Sequence, residues 1–383
     1  MSFPQMRSDQ LTIGFVRRGF SSGGGAESYL QRLAAGVVQA GHEVRLYTAG
    51  EWPADMWNFG PVVRLDAASA ITFADELEKV QPRRDCNVLM SLERIWRCDV
   101  YRAGDGVHRA WLERRNEIAG PWQKLSNLLN RKHSATLALE EALFRKAGAG
   151  RVIANSRMVK EEIIRLYGFP GEKIDVIYNG VPLQSLQRDE QDRAKTRDAL
   201  GLNDGDIGVL FAGSGWERKG LRFAIDAVER QKGQMRLLVA GRGDSRKFPS
   251  SRVQSLGVVR EMPSLYAAAE IFLLPTIYDP FSNACLEALA AGRPVITTRA
   301  NGFSEIIENG RHGTVIDDPR NIDAISEALR FWSDPARRAQ AHLDNLALAA
   351  QFDMPANVER TLAILGSARD SRAGFGDSPK QSF

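Results

Sequence analysis

Two carboxylates, Asp279 and Glu287, bracket seven residues inside the run from Pro275 to Ile296. That run has the makings of an anion site. An apolar stretch before it, residues 271–274, reads as a buried parallel strand that stops at Pro275. Ser282 or Asn283 can cap a helix carrying Ala284, Leu286, Leu289 and Ala290. Gly292 closes that helix, Pro294 bars its continuation, and residues 295–298 begin another strand. A strand, a polar loop and a helix N-terminus put unpaired backbone amides at the carboxyl edge of a sheet, where they suit a phosphate. A diphosphate needs no carboxylate beside it, but the sugar and the ribose attached to one do. Taken alone, Glu287 in the first turns of a helix could be no more than a charge that complements the helix dipole.

Arg218 and Lys219 supply the opposite charge. They precede Gly220 in the loop Gly213 to Gly220, and two cations at a strand–helix junction suit a departing diphosphate. The bland alternative is a solvated basic turn. The loop lacks the Lys-Ser or Lys-Thr pair of a Walker motif. An earlier loop, Ser21 to Gly25, sets three consecutive glycines just before a helix, which allows close backbone approach to an anion or simply a flexible turn. Gly19, Gly23 and Gly24 do not reproduce the G-x-G-x-x-G spacing, which disfavours a Rossmann dehydrogenase.

The elements that must position these loops alternate between strand and helix. Residues 11–16 read as a buried strand, and residues 26–39 as a helix with a core stripe of Leu30, Leu33, Ala34, Val37 and Val38. Residues 42–48 follow as a second strand, which completes the opening of a doubly wound parallel sheet. Weaker strand patterns occur at 62–65, 87–90, 100–102, 151–154 and 173–178, with helices over 136–146 and from the Asn155–Ser156 cap to Tyr167. A polar stretch, residues 181–206, separates this series from a second one. That series runs through strands at 207–212, 235–240, 271–274, 295–298 and 313–316, and ends in helices at 321–332, 335–351 and 355–365.

Composition excludes several classes of protein. Of 383 residues, 43% are apolar and 26% charged, which is enough for two cores and unlike a disordered or fibrous chain. No apolar run approaches the roughly 18–20 residues that cross a bilayer, and residues 1–10 do not read as a secretory signal. Cys86, Cys98 and Cys285 are too few and scattered for a disulfide framework or a zinc site, so a reducing cytoplasm is the expected compartment. Net charge is +4. Between His108 and Ala135, six basic residues (Arg109, Arg114, Arg115, Lys124, Arg131, Lys132) face two acidic ones, Glu113 and Glu117. That segment accounts for the imbalance, which argues against a chain that coats nucleic acid. Either its Trp111 and Trp122 pack on the domain with the arginines solvated, or they sit at a headgroup interface while the cations meet anionic lipid or acceptor phosphates. Asp204-Gly-Asp206 reads as a solvated turn, so no metal site is expected.

Asp279-Pro-Phe-Ser through Glu287-Ala-Leu-Ala-Ala-Gly-Arg-Pro-Val-Ile resembles the E-P-F-G…E-A-x-A-x-G-x-P-V motif of the retaining GT-B glycosyltransferases of the family 4 type. Gly24-Gly25-Ala-Glu27, Gly213 to Gly220 and Asn301 to Ile306 fall where other motifs of that family fall, so the resemblance covers residues 11 to about 365. Within the family, Gly213-Ser-Gly-Trp-Glu-Arg-Lys-Gly, Asp99 to Asp105 and the basic segment are most similar to the lipopolysaccharide-core glucosyltransferases acting on inner-core heptose. The resemblance implies an α/β GT-B fold, two Rossmann-like domains with a cleft between them. The domains would cover residues 1–182 for the acceptor and 183–350 for the nucleotide-sugar donor. A helix over 351–366 would return to the first domain, with a disordered tail over 367–383.

By the same resemblance, Gly24 and Gly25 would approach the donor phosphate, and Arg218 and Lys219 would neutralise the leaving diphosphate. Ser282, Asn283 and Ala284 would hold phosphate through their amides, Glu287 the ribose, Asp279 the hexose hydroxyls, and Arg260 would lie near the base. Asp105 would sit near the anomeric carbon or the acceptor. The acceptor or membrane contacts would come from His108, Arg109, Trp111, Arg114, Arg115, Trp122 and Lys124. Asp279 stands where the family usually has Glu, Ser214 where many relatives have Arg, and Asp105 where a His is frequent; His108, close by, reads as a surface loop residue. The implied activity is retaining, metal-independent transfer of a hexose, glucose from UDP-glucose, to a lipopolysaccharide core or other membrane-associated saccharide. It would act at the inner face of the plasma membrane, with no bound cofactor and no nucleic acid. The alternatives are a sugar-nucleotide epimerase or hydrolase on the same plan, or a non-catalytic nucleotide-sugar-binding protein.

Overall fold

Most strands of this chain are apolar on both faces, the pattern of parallel sheets covered by helices. A computed structural model describes residues 10–21, 25–118 and 130–374 and shows two such sheets, each in its own unit. The first unit runs to Tyr178 and resumes at Met354; the second spans Asn179–Asp353.

The first unit has strands β1 (Thr12–Val16), β2 (Glu43–Thr48), β3 (Val62–Arg64), β4 (Val88–Ser91), β5 (Cys98–Ala103), β6 (Ala149–Ala154) and β7 (Ile174–Val176), in the spatial order β3-β2-β1-β4-β5-β6-β7. Every neighbouring pair is parallel. The order turns back between β1 and β4, the switch point at which doubly wound sheets open a crevice. Helices α1 (Gly25–Gln39), α2 (Ala70–Val80), α3 (His108–Ile118), α4 (Arg131–Phe144) and α5 (Arg157–Tyr167) cover it. Leu30, Leu33, Ala34 and Val37 of α1 are buried with Phe15, Leu46 and Met90, while Val38, read as part of that stripe, is exposed.

The second unit begins four residues before the expected boundary. Its helices are α6 (Leu183–Leu186), α7 (Glu190–Ala199), α8 (Trp216–Lys219), α9 (Leu221–Glu229), α10 (Met262–Ala268), α11 (Asn283–Ala290), α12 (Ile322–Trp332) and α13 (Pro335–Ala349). Strands β8 (Ile207–Ala212), β9 (Met235–Ala240), β10 (Val253–Gly257), β11 (Ile271–Leu274), β12 (Val295–Thr298) and β13 (Gly313–Ile316) are ordered β10-β9-β8-β11-β12-β13. β10 has no counterpart in the sequence reading because Gln254, Ser255 and Gly257 give an edge strand no apolar signature.

The last helix, α14 (Met354–Gly374), belongs to the first unit and packs on α1. Val358 lies where a side chain on Gly36 would stand, 2.5 Å from an added Cβ, and Tyr29 donates a 2.8 Å hydrogen bond to Asn357. The helix continues through residues 367–374, which correct the expectation of a tail from 367; residues 375–383 lie outside the described residues.

One glycine holds the loop between β8 and α9 against the loop after β11. Gly220 has φ 78°, and a Cβ there would stand 1.9 Å from the Pro275 carbonyl oxygen. Around it the Ile277 amide and Thr276 hydroxyl both donate to the Arg218 carbonyl, at 2.8 and 2.9 Å. Gly220→Ala therefore carries backbone strain plus a clash, and we expect urea unfolding to show a loss of roughly 1–3 kcal/mol. An unchanged midpoint would mean that the two loops are not tightly apposed.

Candidate functional site

In the second unit the chemistry converges on Asp279. Leaving β11, the backbone at Asp279 is clamped to the loop after β12: its amide donates to Ala300 O at 2.9 Å, and Gly302 N donates to its carbonyl at 2.9 Å. The carboxylate is buried and accepts a 2.8 Å hydrogen bond from Lys219 Nζ. Arg218 Nη1 stands 3.8 Å from the same oxygen and donates to Tyr278 O at 2.7 Å. Gly213 makes room for the lysine, since a Cβ on it would stand 3.1 Å from Lys219 Cε. The three residues expected to serve different parts of a donor are thus one charge cluster.

The helix N-terminus is built as read. Ser282 caps α11, its Oγ accepting from Cys285 N at 3.3 Å. A residue the sequence reading placed only in a motif, Asn301, sets the loop. Buried, it accepts from Ser282 N at 3.2 Å and Phe303 N at 3.1 Å, and donates to Thr297 Oγ1 at 3.0 Å. Ser282 therefore does not offer its amide to an anion, contrary to expectation. Ala284, at the second helical position, has no intrahelical acceptor and keeps that capacity. Asn283 accepts through its side chain from Asn179 Nδ2 at 2.6 Å. Glu287, half-buried, accepts from the Tyr266 hydroxyl at 3.0 Å, so it is positioned rather than loose on the helix dipole. Arg260 is exposed in the loop between β10 and α10.

Asp206 is not the solvated residue its spacing suggested: it is buried, and its carboxylate accepts from Asn203 N at 2.9 Å to close the turn before β8. Among the described residues no group of three or more His, Cys, Asp or Glu could hold a metal ion, and no helix is long and apolar enough to cross a membrane.

In the first unit, Gly25 opens α1, while Gly24 lies outside the described residues. Asp105, in the turn between β5 and α3, accepts from Arg17 Nη1 at 3.1 Å. Arg17, just beyond β1, also donates to Glu27 at 3.0 Å and lies 3.9 Å from Glu93. Burial disfavours its charge, but Asp105, Glu93 and Glu27 outweigh that and hold its pKa above the ordinary value. Glu27 and Asp105 fall in motifs of the resemblance, but no sequence signal joins them to Arg17 and Glu93, because the four come from α1 and the loops after β1, β4 and β5.

His108 is the first residue of α3 and is half-buried, not a surface loop residue. Its Nε2 lies 3.0 Å from His133 Nδ1, and burial followed by the Arg94 charge pushes its pKa down to about 4. It is neutral at pH 7. Beneath it, the fully buried Glu140 accepts from the His108 and Arg109 amides at 2.6 and 3.2 Å, from Arg94 Nε at 2.9 Å and from the Tyr167 hydroxyl at 2.7 Å. Trp111 stacks near both histidines, with ring centroids 5.3 and 5.6 Å away, and Arg115 lies 5.1 Å over it. Arg109 covers Tyr167 at 5.0 Å, and Arg114 pairs with buried Glu162 at 2.8 Å. Trp111, Arg109, Arg114 and Arg115 thus each have a partner within the first unit. Trp122 and Lys124 lie outside the described residues.

Residues 206–333 match the family model described as glycosyl transferases group 1, and residues 105–185 match that of Glycosyltransferase Family 4. The lipopolysaccharide glucosyltransferase WaaG of Escherichia coli K12 is 25% identical over 341 residues, 83% of this chain and 89% of that protein. An uncharacterized glycosyltransferase of Methanocaldococcus jannaschii is 30% identical over 200 residues. A D-inositol 3-phosphate glycosyltransferase of Pseudarthrobacter chlorophenolicus is 29% identical over 209 residues. The matches cover 48% and 50% of this chain, and it spans about half the length of these two relatives, 51% and 49%. Among solved structures, WaaG superposes with a TM-score of 0.80 at 21% identity, over 92% of this chain and 99% of that one. Anabaena Alr3699/HepE in complex with UDP and glucose gives 0.74 at 19% identity, over 94% and 100%.

Proposed function

The chain carries a group 1 glycosyl transferase domain and a family 4 glycosyltransferase segment on a GT-B fold, and on that premise we propose that it is a retaining hexosyltransferase. The donor is a nucleoside diphosphate hexose, UDP-glucose, and the acceptor a lipopolysaccharide-core or other membrane-associated saccharide. One observation carries this reading: Lys219, Arg218 and Asp279 form a single charge cluster in the loops before α9 and α11. UDP and glucose in the complex of a structural neighbour, and the glucosyl transfer in the name of WaaG, support the choice of donor.

In this reading Lys219 and Arg218 take the charge that develops on the diphosphate as it leaves, and the Ala284 amide adds a fixed dipole. Glu287 binds the ribose hydroxyls, with Tyr266 orienting its carboxylate. Asp279 accepts from hexose hydroxyls, and Asp105, held by Arg17, serves the acceptor. The bond from the anomeric carbon to the diphosphate oxygen breaks while the acceptor oxygen bonds on the same face. The departing oxygen takes the acceptor proton, so no protein nucleophile, metal or cofactor is needed. Peripheral contact with an anionic membrane would fall to Arg131 and Lys132, both exposed at the start of α4, since Arg109 and Arg114 are engaged inside the unit.

A thermal-shift panel of UDP-, GDP- and ADP-glucose tests the donor. At a hundredfold excess over its dissociation constant, UDP-glucose should raise the unfolding midpoint by roughly 5–10 °C. Glu287→Ala should lose most of that shift. Equal shifts from all three donors, or an unaffected Glu287→Ala, would overturn the assignment. Omission of acceptor separates transfer from hydrolysis or epimerisation, and the anomeric configuration of the product reports retention.

A further inference from the structure

The second unit has a cavity of about 240 Å³ at the other edge of its sheet, where β11 and β12 begin. It is lined by Glu190, Arg193, Glu270, Arg293, Arg338 and His342, with the Gly292 backbone and Ala339 completing the wall. Its electrostatics are unbalanced. Glu270 is buried and already saturated: Arg193 and Arg197 both pair with it, the latter at 2.8 and 2.9 Å, and Gly208 N donates to it at 2.7 Å. Glu190 is exposed and lies 3.5 Å from Arg193. Arg293 donates to Ala291 O at 3.0 Å and Ala269 O at 3.2 Å; Arg338 donates to Trp332 O at 2.8 Å and Ser333 O at 2.7 Å. Neither forms an ion pair among the described residues. Four guanidiniums thus share two carboxylates, and two of the four, Arg293 and Arg338, feel Glu270 only from beyond ion-pair distance.

The consequence is visible on the neighbours. Burial, then repulsion from Arg193, pushes the Arg293 pKa down to about 10. Burial, then Arg293, lowers that of His342, which is neutral at pH 7. Arg293 stays charged at that pH, so its unfavourable field persists in the folded protein. Its backbone has no freedom to retreat. The buried Asn345 of α13 donates to Arg293 O at 2.9 Å, and Gly292 sits at φ 74°, where a Cβ would stand 2.0 Å from His342 Nδ1.

We propose that this cavity binds a phosphoryl oxyanion, as free phosphate or as a phosphomonoester, between Arg293 and Arg338. Guanidinium forks match phosphate geometry, and a dianion offsets the two unpaired charges. The volume is well above the roughly 10–15 Å³ that admits one water, so a phosphomonoester fits. The site is distinct from the donor loop: α11 begins at that loop and ends at Ala290, two residues before Gly292, and its eight residues span about 12 Å.

Thermal unfolding of the full chain in sodium phosphate or glycerol phosphate, against sodium chloride at equal ionic strength, tests this. Several times its dissociation constant, the anion should raise the midpoint by roughly 2–4 °C. The shift should survive in Arg218→Ala/Lys219→Ala, which disables the donor-loop cations, and disappear in Arg338→Gln. Ala339→Trp, an exposed position that blocks the cavity without removing a hydrogen bond, should abolish it too and serves if Arg338→Gln unfolds. A larger shift with glycerol phosphate assigns the site to phosphomonoesters, and equal shifts to free phosphate. No shift with either anion, loss of the shift in the donor-loop variant, or a full shift in Ala339→Trp would overturn the proposal.

Discussion

On the proposed reaction, Lys219→Ala should lower kcat for hexosyl transfer by about 10²–10³-fold, the usual loss when one preorganised partner of a developing negative charge is removed. The geometry says why this lysine outranks Arg218. Its ammonium is held within the loop, beside Gly213 and 2.8 Å from Asp279, whereas Arg218 is more exposed and spends one nitrogen on Tyr278 O. Asp279 pairs with the lysine in this structure, so on the proposed reaction the donor diphosphate would share or displace that partner. Asp279→Asn keeps the shape and frees the ammonium; it separates the loss of hexose binding from the loss of leaving-group stabilisation. The measurement is steady-state transfer from UDP-glucose, with far-UV circular dichroism to confirm the fold. A folded Lys219→Ala protein with full kcat would sink the leaving-group role.

The second large effect is on stability and concerns Glu140. Glu140→Ala should cost about 3–5 kcal/mol in chemical denaturation, the range for breaking a buried pair from one side. Four groups lose their acceptor at once: the Arg94 guanidinium, the Tyr167 hydroxyl and the two amides that open α3. Arg94 also donates to Gly106 O, in the turn that carries Asp105, so the variant should disturb that turn as well. Glu140→Gln, which keeps the shape but not the charge, should fall between wild type and alanine. A change below 1 kcal/mol in Glu140→Ala would show that water replaces the carboxylate without penalty.

These two residues illustrate what could and could not be read in advance. The run from Ile271 to Thr298 was legible because its signals are local: an apolar strand, a capping serine, a terminating glycine and a proline that bars continuation. The structure places β11, α11 and β12 at those positions. Glu140 carried no such signal. An acidic residue within a helical pattern looks solvent-facing, and only the fold brings Arg94, His108 and Tyr167 around it. Arg17, Asn179 and Asn301 were overlooked as site residues for the same reason: a side chain's hydrogen-bond partners lie at distances along the chain that no periodicity encodes. The basic segment shows the same limit: its run of like charges gave no hint that Glu162 and the ring of Tyr167 would each hold one of its arginines.

The return of α14 to the first unit has a consequence for how the chain comes to be folded. Val358, Leu365 and Ala368 belong to the same core as Phe15 and Leu30, and Tyr29 reaches Asn357 across 328 positions of chain. The second unit is contiguous, so during synthesis its contacts are all available before the first unit can finish its own. The part of the first unit made before Asn179 must wait, with some of its apolar surface uncovered, for α14 to emerge. The order of completion is therefore the reverse of the order of synthesis.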